Sequence, residues 1–155
     1  MIIRIILLLM ILASASAKAE DSLFSSMYVS SQGMQAHSER LKVIAQNIAN
    51  ANTTGKTPGS APYRRKVILM KNEYDEKFRA DVLQVNKIAL DRSDYLYRFE
   101  PNHPAADDNG YVKYPNVDIN LEMIDAKEAQ RSYEANLSAF EIAKSNQLKL
   151  LEALK

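Results

Sequence analysis

The chain has 155 residues, with 20 Lys plus Arg against 19 Asp plus Glu, a formal charge of +1. That length reads as one domain with appended arms, and the near-neutral charge excludes a nucleic-acid binder driven by a broad basic field. With no cysteine, two histidines and four glycines, the sequence also excludes disulfide scaffolds, thiolate zinc and iron–sulfur sites, His-rich metal centres and glycine-rich nucleotide loops. Residues 1–20 (MIIRIILLLMILASASAKAE) stand apart from the rest. Arg4 precedes an apolar run from Ile5 to Leu12, and the small residues Ala13 to Ala19 offer several A-x-A-like cleavage sites. The pattern is that of a secretory leader, and the run is too short for a spanning helix of about 20 apolar residues. An uncleaved membrane-proximal anchor, or a start further along at Met10 or Met27, is the alternative.

Residues 21–54 read as an N-terminal helix. No proline interrupts the stretch from Ser22 to Asn52, and one series steps along it alternately by three and four: Met27, Ser30, Met34, His37, Leu41, Ile44, Ile48, Ala51. This is a coiled-coil seam with a mean period of 3.5. The start is weakened by Ser25, Ser26, Ser30, Ser31 and Gly33, glycine alone costing about 1 kcal/mol relative to alanine. Asn50, Asn52, Thr53, Thr54 and Gly55 supply the stop.

Residues 55–117 change character and read as a small β-rich middle region. A turn-rich loop, Thr54 to Pro62, leads into three strand-like runs at Tyr63–Lys71, Val82–Leu90 and Tyr95–Glu100. Pro101, Pro104 and Pro115 punctuate the end of the region. A region this small has a modest core and leans on the helices for stability.

Residues 118–155 read as a second helix, free of Gly and Pro. Its seam is Met123, Ala126, Gln130, Tyr133, Leu137, Phe140, Lys144, Gln147, Leu151, Leu154. Ala129, Ala135, Ala139, Ile142 and Ala143 widen the apolar surface and admit close approach by another helix. The fold class expected is therefore mainly α with a small β-rich middle, the long N- and C-terminal helices pairing as a coiled coil. An intramolecular hairpin of the two helices, buried against the middle, fits the same periodicity. The seam residues expected at a helix or subunit interface are Met27, Met34, Leu41, Ile44 and Ile48 on the first helix. On the second they are Met123, Ala126, Tyr133, Leu137, Phe140, Leu151 and Leu154.

Catalytic chemistry finds little support. His103 with Asp107, Asp108 and Asn109 is the one His–carboxylate cluster, but it lacks EF-hand spacing and reads as Asx-turn residues in a proline-bounded loop. His37 lies on a helical seam with no nucleophile or carboxylate placed beside it by the sequence. Arg64-Arg65-Lys66 reads as a solvated strand end or a site for a partner's acidic group, and no serine lies in G-x-S-x-G. Neither an enzyme, a cofactor, a metal nor a small-molecule substrate is expected.

Several motifs occur in a fixed order. Ala45 to Thr54 (AQNIANANTT) follows Gly33-Met34-Gln35-Ala36 and Arg40-Leu41; Pro62 to Lys66 (PYRRK) comes next; then Phe99 to Asp118 (FEPNHPAADDNGYVKYPNVD) and Arg131 to Asn136 (RSYEAN). Together they resemble the bacterial flagellar basal-body rod protein family, over nearly all the chain beyond the leader. The resemblance implies a structural subunit of the proximal rod. It would polymerise with itself and other axial proteins through its terminal helices into a hollow tube crossing the periplasm, and transmit torque. It also implies a packing role for Asn47, Asn50 and Asn52. Family members leave the cell through the flagellum's own export apparatus without a cleavable leader, so residues 1–20 depart from the resemblance; membrane contact is expected through that leader alone. A secreted or membrane-attached coiled-coil adaptor that does not polymerise is the alternative.

Overall fold

The structure, a computed structural model, describes residues 22–153 with their side chains; α1 is traced from Ile2. The leader expected over residues 1–20 lies outside the described residues. The elements follow in the order α1 (Ile2–Ala49), β1 (Lys66–Asp75), β2 (Ala80–Leu90), β3 (Leu96–Phe99), β4 (Tyr111–Tyr114) and α2 (Ile119–Ala153). Two long helices thus bracket two small sheets, β1 with β2 and β3 with β4. Mainly α with a β middle, as the sequence implies, is what the chain forms.

The helix ends follow from local side-chain chemistry. At the close of α1, Asn50 Nδ2 donates to the Gln46 carbonyl at 2.8 Å, while the Thr53 N–H donates to the Asn50 carbonyl. A carboxamide here satisfies a carbonyl orphaned by the helix end. Asp118 caps α2, its Oδ1 accepting the N–H groups of Asn120 at 2.8 Å and Leu121 at 3.3 Å, as an aspartate N-cap does.

The chain forms two compact units. The first gathers α1 up to Gln35, Asn72–Gln84, and α2 from Ser132 onward. Here the β1–β2 tip is fastened to α1. The rings of Tyr28 and Phe78 stack with centroids 3.9 Å apart, Ser25 Oγ donates to the Phe78 carbonyl, and the Tyr28 hydroxyl donates to Asp75. The four-residue turn closes with Arg79 at φ 51°, in the left-handed region that non-glycine residues seldom enter. Gly33 of α1 lies under Asn136 of α2, so close that a Cβ at residue 33 would overlap the carboxamide.

The second unit comprises Ala36–Lys71 and Val85–Arg131. Strand β4 was not evident in the sequence. Its four residues, set between Gly110 and Pro115, are too few for an alternating pattern to register. They become a strand by pairing antiparallel with β3, Leu96 opposite Tyr114 and Phe99 opposite Tyr111. Ala105, Val112 and Tyr114 form a small core there, with Ala106 packed on it. The expected turn at His103–Asn109 is stitched by its own side chains. Asp107 Oδ1 accepts from the N–H groups of Asn109 and Tyr111, and His103 Nδ1 accepts from that of Ala105. Strand β1 begins at Lys66 instead of Tyr63, because Tyr63, Arg64 and Arg65 turn their polar groups into a hydrogen-bonded cluster described below.

The Gly33–Asn136 contact yields a prediction. Gly33→Ala gains about 1 kcal/mol of helix propensity but must displace Asn136, whose Nδ2 donates to the Ser132 carbonyl. The single variant is expected to unfold at lower urea than wild type. Combining it with Asn136→Ala opens the space and should recover or exceed wild-type stability.

Candidate functional site

Each helix has a buried side. On α1 it holds Ser30, Gly33, Ala36, His37, Val43, Ile44 and Asn47, with Ala51 just beyond the helix end. Met27, Met34, Leu41 and Ile48 are half-buried shoulders. On α2 the half-buried Ala126, Tyr133 and Phe140 are on the seam as expected, alternating with Glu122, Ala129, Asn136, Ala143 and Leu150. Met123, Leu137 and Leu151 stand exposed beside it. Leu154 lies outside the described residues. On α2 the seam takes mostly small and hydrogen-bonding residues, which allow close approach, while Leu121, Ile124 and Ile142 are left outside; on α1 the aliphatic Val43 and Ile44 are buried too.

In the second unit the helices run antiparallel: Asn47 of α1 meets Glu122 of α2, and Arg40, two turns earlier on α1, meets Glu128 further along α2. Asn47 is 1% exposed and uses its whole hydrogen-bonding capacity. Its Nδ2 donates to the Lys66 carbonyl at 2.9 Å and to Glu122 Oε2 at 3.1 Å. Its Oδ1 accepts from the Tyr63 hydroxyl at 2.8 Å and the Lys66 N–H at 2.9 Å.

The other carboxylate oxygen of Glu122, also 1% exposed, accepts from Arg65 Nε at 2.6 Å. A buried carboxylate is tolerable only when paired and hydrogen-bonded in this way. The guanidinium also faces Asp91 at 3.5 Å and Asp125 at 3.9 Å. Burial depresses the pKa of Arg65, but the hydrogen bond and charge of Glu122, reinforced by Asp91, outweigh it and hold the group above its ordinary value. Burial and then the Glu122 charge likewise raise the Tyr63 phenol. Next to the cluster, Arg64 stacks on Tyr95 with its guanidinium 4.0 Å from the ring centre and donates to the carbonyls of Asp91 and Ser93. The basic triplet that read as a solvated strand end is thus an internal clamp.

The three motif asparagines therefore separate. Asn47 is the centre of the cluster, Asn50 caps α1, and Asn52 is exposed at the rim of a groove. The residue that sequence reasoning missed is Glu122, Asn47's partner across the helices. A signal existed: Glu122, Ala129, Asn136, Ala143 and Leu150 recur every seven residues, a stripe that a search for large apolar residues passes over. Among the described residues, no group of three or more His, Cys, Asp or Glu is placed to hold a metal ion, and no helix is long and apolar enough to cross a membrane.

Unequal losses should follow from the unequal roles of the asparagines. Asn47→Ala takes a partner from the part-buried Lys66 N–H and from one oxygen of the buried Glu122 carboxylate, and should cost roughly 3 kcal/mol. Asn50→Ala should cost about 1 kcal/mol, as loss of a cap does. Asn52→Ala should be near neutral. Urea midpoints of the three variants give the comparison. His37 makes a pH prediction. It is buried, its Nδ1 lacks a hydrogen-bond partner, and burial, then the Arg40 charge, push its pKa below 6.5 against an opposing pull from Glu128. The unfolded chain binds the proton first on acidification, so this contribution is complete above the ordinary value and is lost as pH falls through the lowered one. Replacing His37 by leucine should flatten the acid limb of a stability–pH curve.

Comparison with known proteins bears on the whole arrangement. A family model described as "Flagella basal body rod protein" matches residues 27–55, and one described as "Flagellar basal body rod FlgEFG protein C-terminal" matches residues 108–153. These spans hold Asn47 and Glu122 respectively. The flagellar basal-body rod protein FlgC of Agrobacterium fabrum is 44% identical, over 76% of this chain and 84% of its own. FlgC of Salmonella typhimurium is 36% identical over 79% and 91%, and FlgC of Bacillus subtilis 34% identical over 83% and 96%. The motif order, the helix-flanked fold and these relatives agree: the chain belongs to the FlgC family of flagellar basal-body rod proteins.

Proposed function

We propose that this chain is a structural subunit of the proximal rod, without catalytic activity, and that it polymerises with itself and other axial proteins into a hollow tube that crosses the periplasm and transmits torque. The observation carrying this reading is the distribution of apolar size on α2. Its buried seam is built from Ala129, Ala143, Asn136 and Glu122, while Leu121, Ile124 and Ile142 are each 60% or more exposed. Ala135, Ala139 and Ile142 share one side of the helix at steps of four and three. Large apolar groups flanking small ones make a surface against which another helix fits closely. Apolar area of this kind on a monomer marks an interaction site.

The seam residues support an antiparallel coiled coil of α1 and α2 as the repeating element of the tube. Within one copy Met34, Leu41, Met123 and Leu137 are its shoulders, and neighbouring copies complete their burial. The buried polar cluster fixes the register of the pair, a role well attested for buried polar groups in coiled coils.

Electron microscopy of the concentrated protein, alone and with other axial proteins, is expected to show tubes. Ile124→Asp combined with Ile142→Asp places two charges where apolar burial is required. That variant should keep wild-type helical circular dichroism and urea midpoint, because both side chains face solvent in the monomer, and should lose assembly. Wild-type protein that never forms or joins tubes would favour the non-polymerising adaptor instead.

A further inference from the structure

In the second unit an open groove of about 510 Å³ lies between the end of α1, the start of α2 and β3. Leu96 and Ile119, half and about two-fifths exposed, give it apolar walls with Ala51 and Val117. Asp94, Asp118, Asn52 and Arg98 stand around it. The Arg98 guanidinium is drawn over the Tyr114 ring, 4.2 Å from its centre, so the charge left on the rim is acidic. The occupant such a groove fits is therefore apolar with an attached cation.

This chain carries such a segment. Lys144, Leu148 and Leu151 follow one another at four- and three-residue steps on one face of α2. All three are exposed. We infer that the final turns of α2 of one copy dock in this groove of the next, Leu148 and Leu151 against Leu96 and Ile119, and Lys144 toward Asp94. The inference rests on the rod-subunit reading and adds to it which surface meets which. The two patches differ, so the contact is heterologous: each copy offers one and receives the other, and repetition gives an open helical array instead of a closed dimer.

The absence of native cysteine makes the test direct. Asp94→Cys and Lys144→Cys are introduced together in the full chain, the concentrated protein is oxidised, and the products are run on a non-reducing denaturing gel beside electron micrographs of the same sample. A ladder of dimers, trimers and higher species is expected from the double variant, and dimers at most when the two single variants are mixed. Tubes without a ladder overturn this contact and leave the rod reading standing. A ladder without tubes upholds the contact and overturns the tube; neither product overturns both. As a second measurement, Asp94→Lys and Lys144→Asp should each raise the concentration needed for assembly about tenfold, and the double reversal should restore it. A double reversal no better than either single change counts against the pairing.

Discussion

Asn47 donates twice from Nδ2 and accepts twice at Oδ1, and its partners come from two separate stretches of sequence: Tyr63 with Lys66, and Glu122. Every other feature of the second unit is arranged so that this can happen. Strand β1 starts where its first residue, Lys66, can offer both backbone groups to one side chain. Arg65 points inward because the Glu122 carboxylate, at 1% exposure, requires a cation. Asp91 and Asp125 then gather around Arg65, and Arg40 in turn meets Asp125 and Glu128. Remove the carboxamide and the buried Glu122 carboxylate loses one of its two hydrogen-bond partners, which is costlier than never having had one.

The seams on either side of that cluster obey a complementary rule. On α2 small residues and hydrogen-bonded ones hold most of the buried side, and Leu121, Ile124 and Ile142 sit outside. A single copy assembled this way has a specified geometry but a modest apolar interior. Burying the outer Leu and Ile side chains in a larger structure adds stability without redesigning the inside, at about 25 cal/mol for each Å² of apolar surface removed from water. The hydrogen-bonded contacts and the exposed aliphatic groups thus lie on different faces of α2.

Much of this was legible in sequence because it depends on periodicity and on helix-stop chemistry. Both long helices, the termination at Asn50 and the Asx turn at Asp107 follow from residue type and spacing. The phase of the seams did not follow. The sequence rule favours Met34 over Gly33 and Leu137 over Asn136 because bulk and apolarity are what it counts, whereas the fold selects closeness and hydrogen bonding. The four residues of β4 were invisible for another reason, since pairing with β3 creates the strand and no local pattern announces it. Asn47 was singled out by its motif, but its meaning depended on Glu122, 75 residues away, and no one-dimensional rule connects them.

That separation has a kinetic side. The cluster draws its acid from the far end of the chain, so the loop it closes spans roughly half the polypeptide, and contacts of such long range are slow to form. Until Glu122 arrives, Asn47 and Arg65 have nothing across the helix pair to hold, and the early part of the chain stays loosely organised. The helix pair of the second unit is pinned at this cluster only after the chain has been made as far as Glu122.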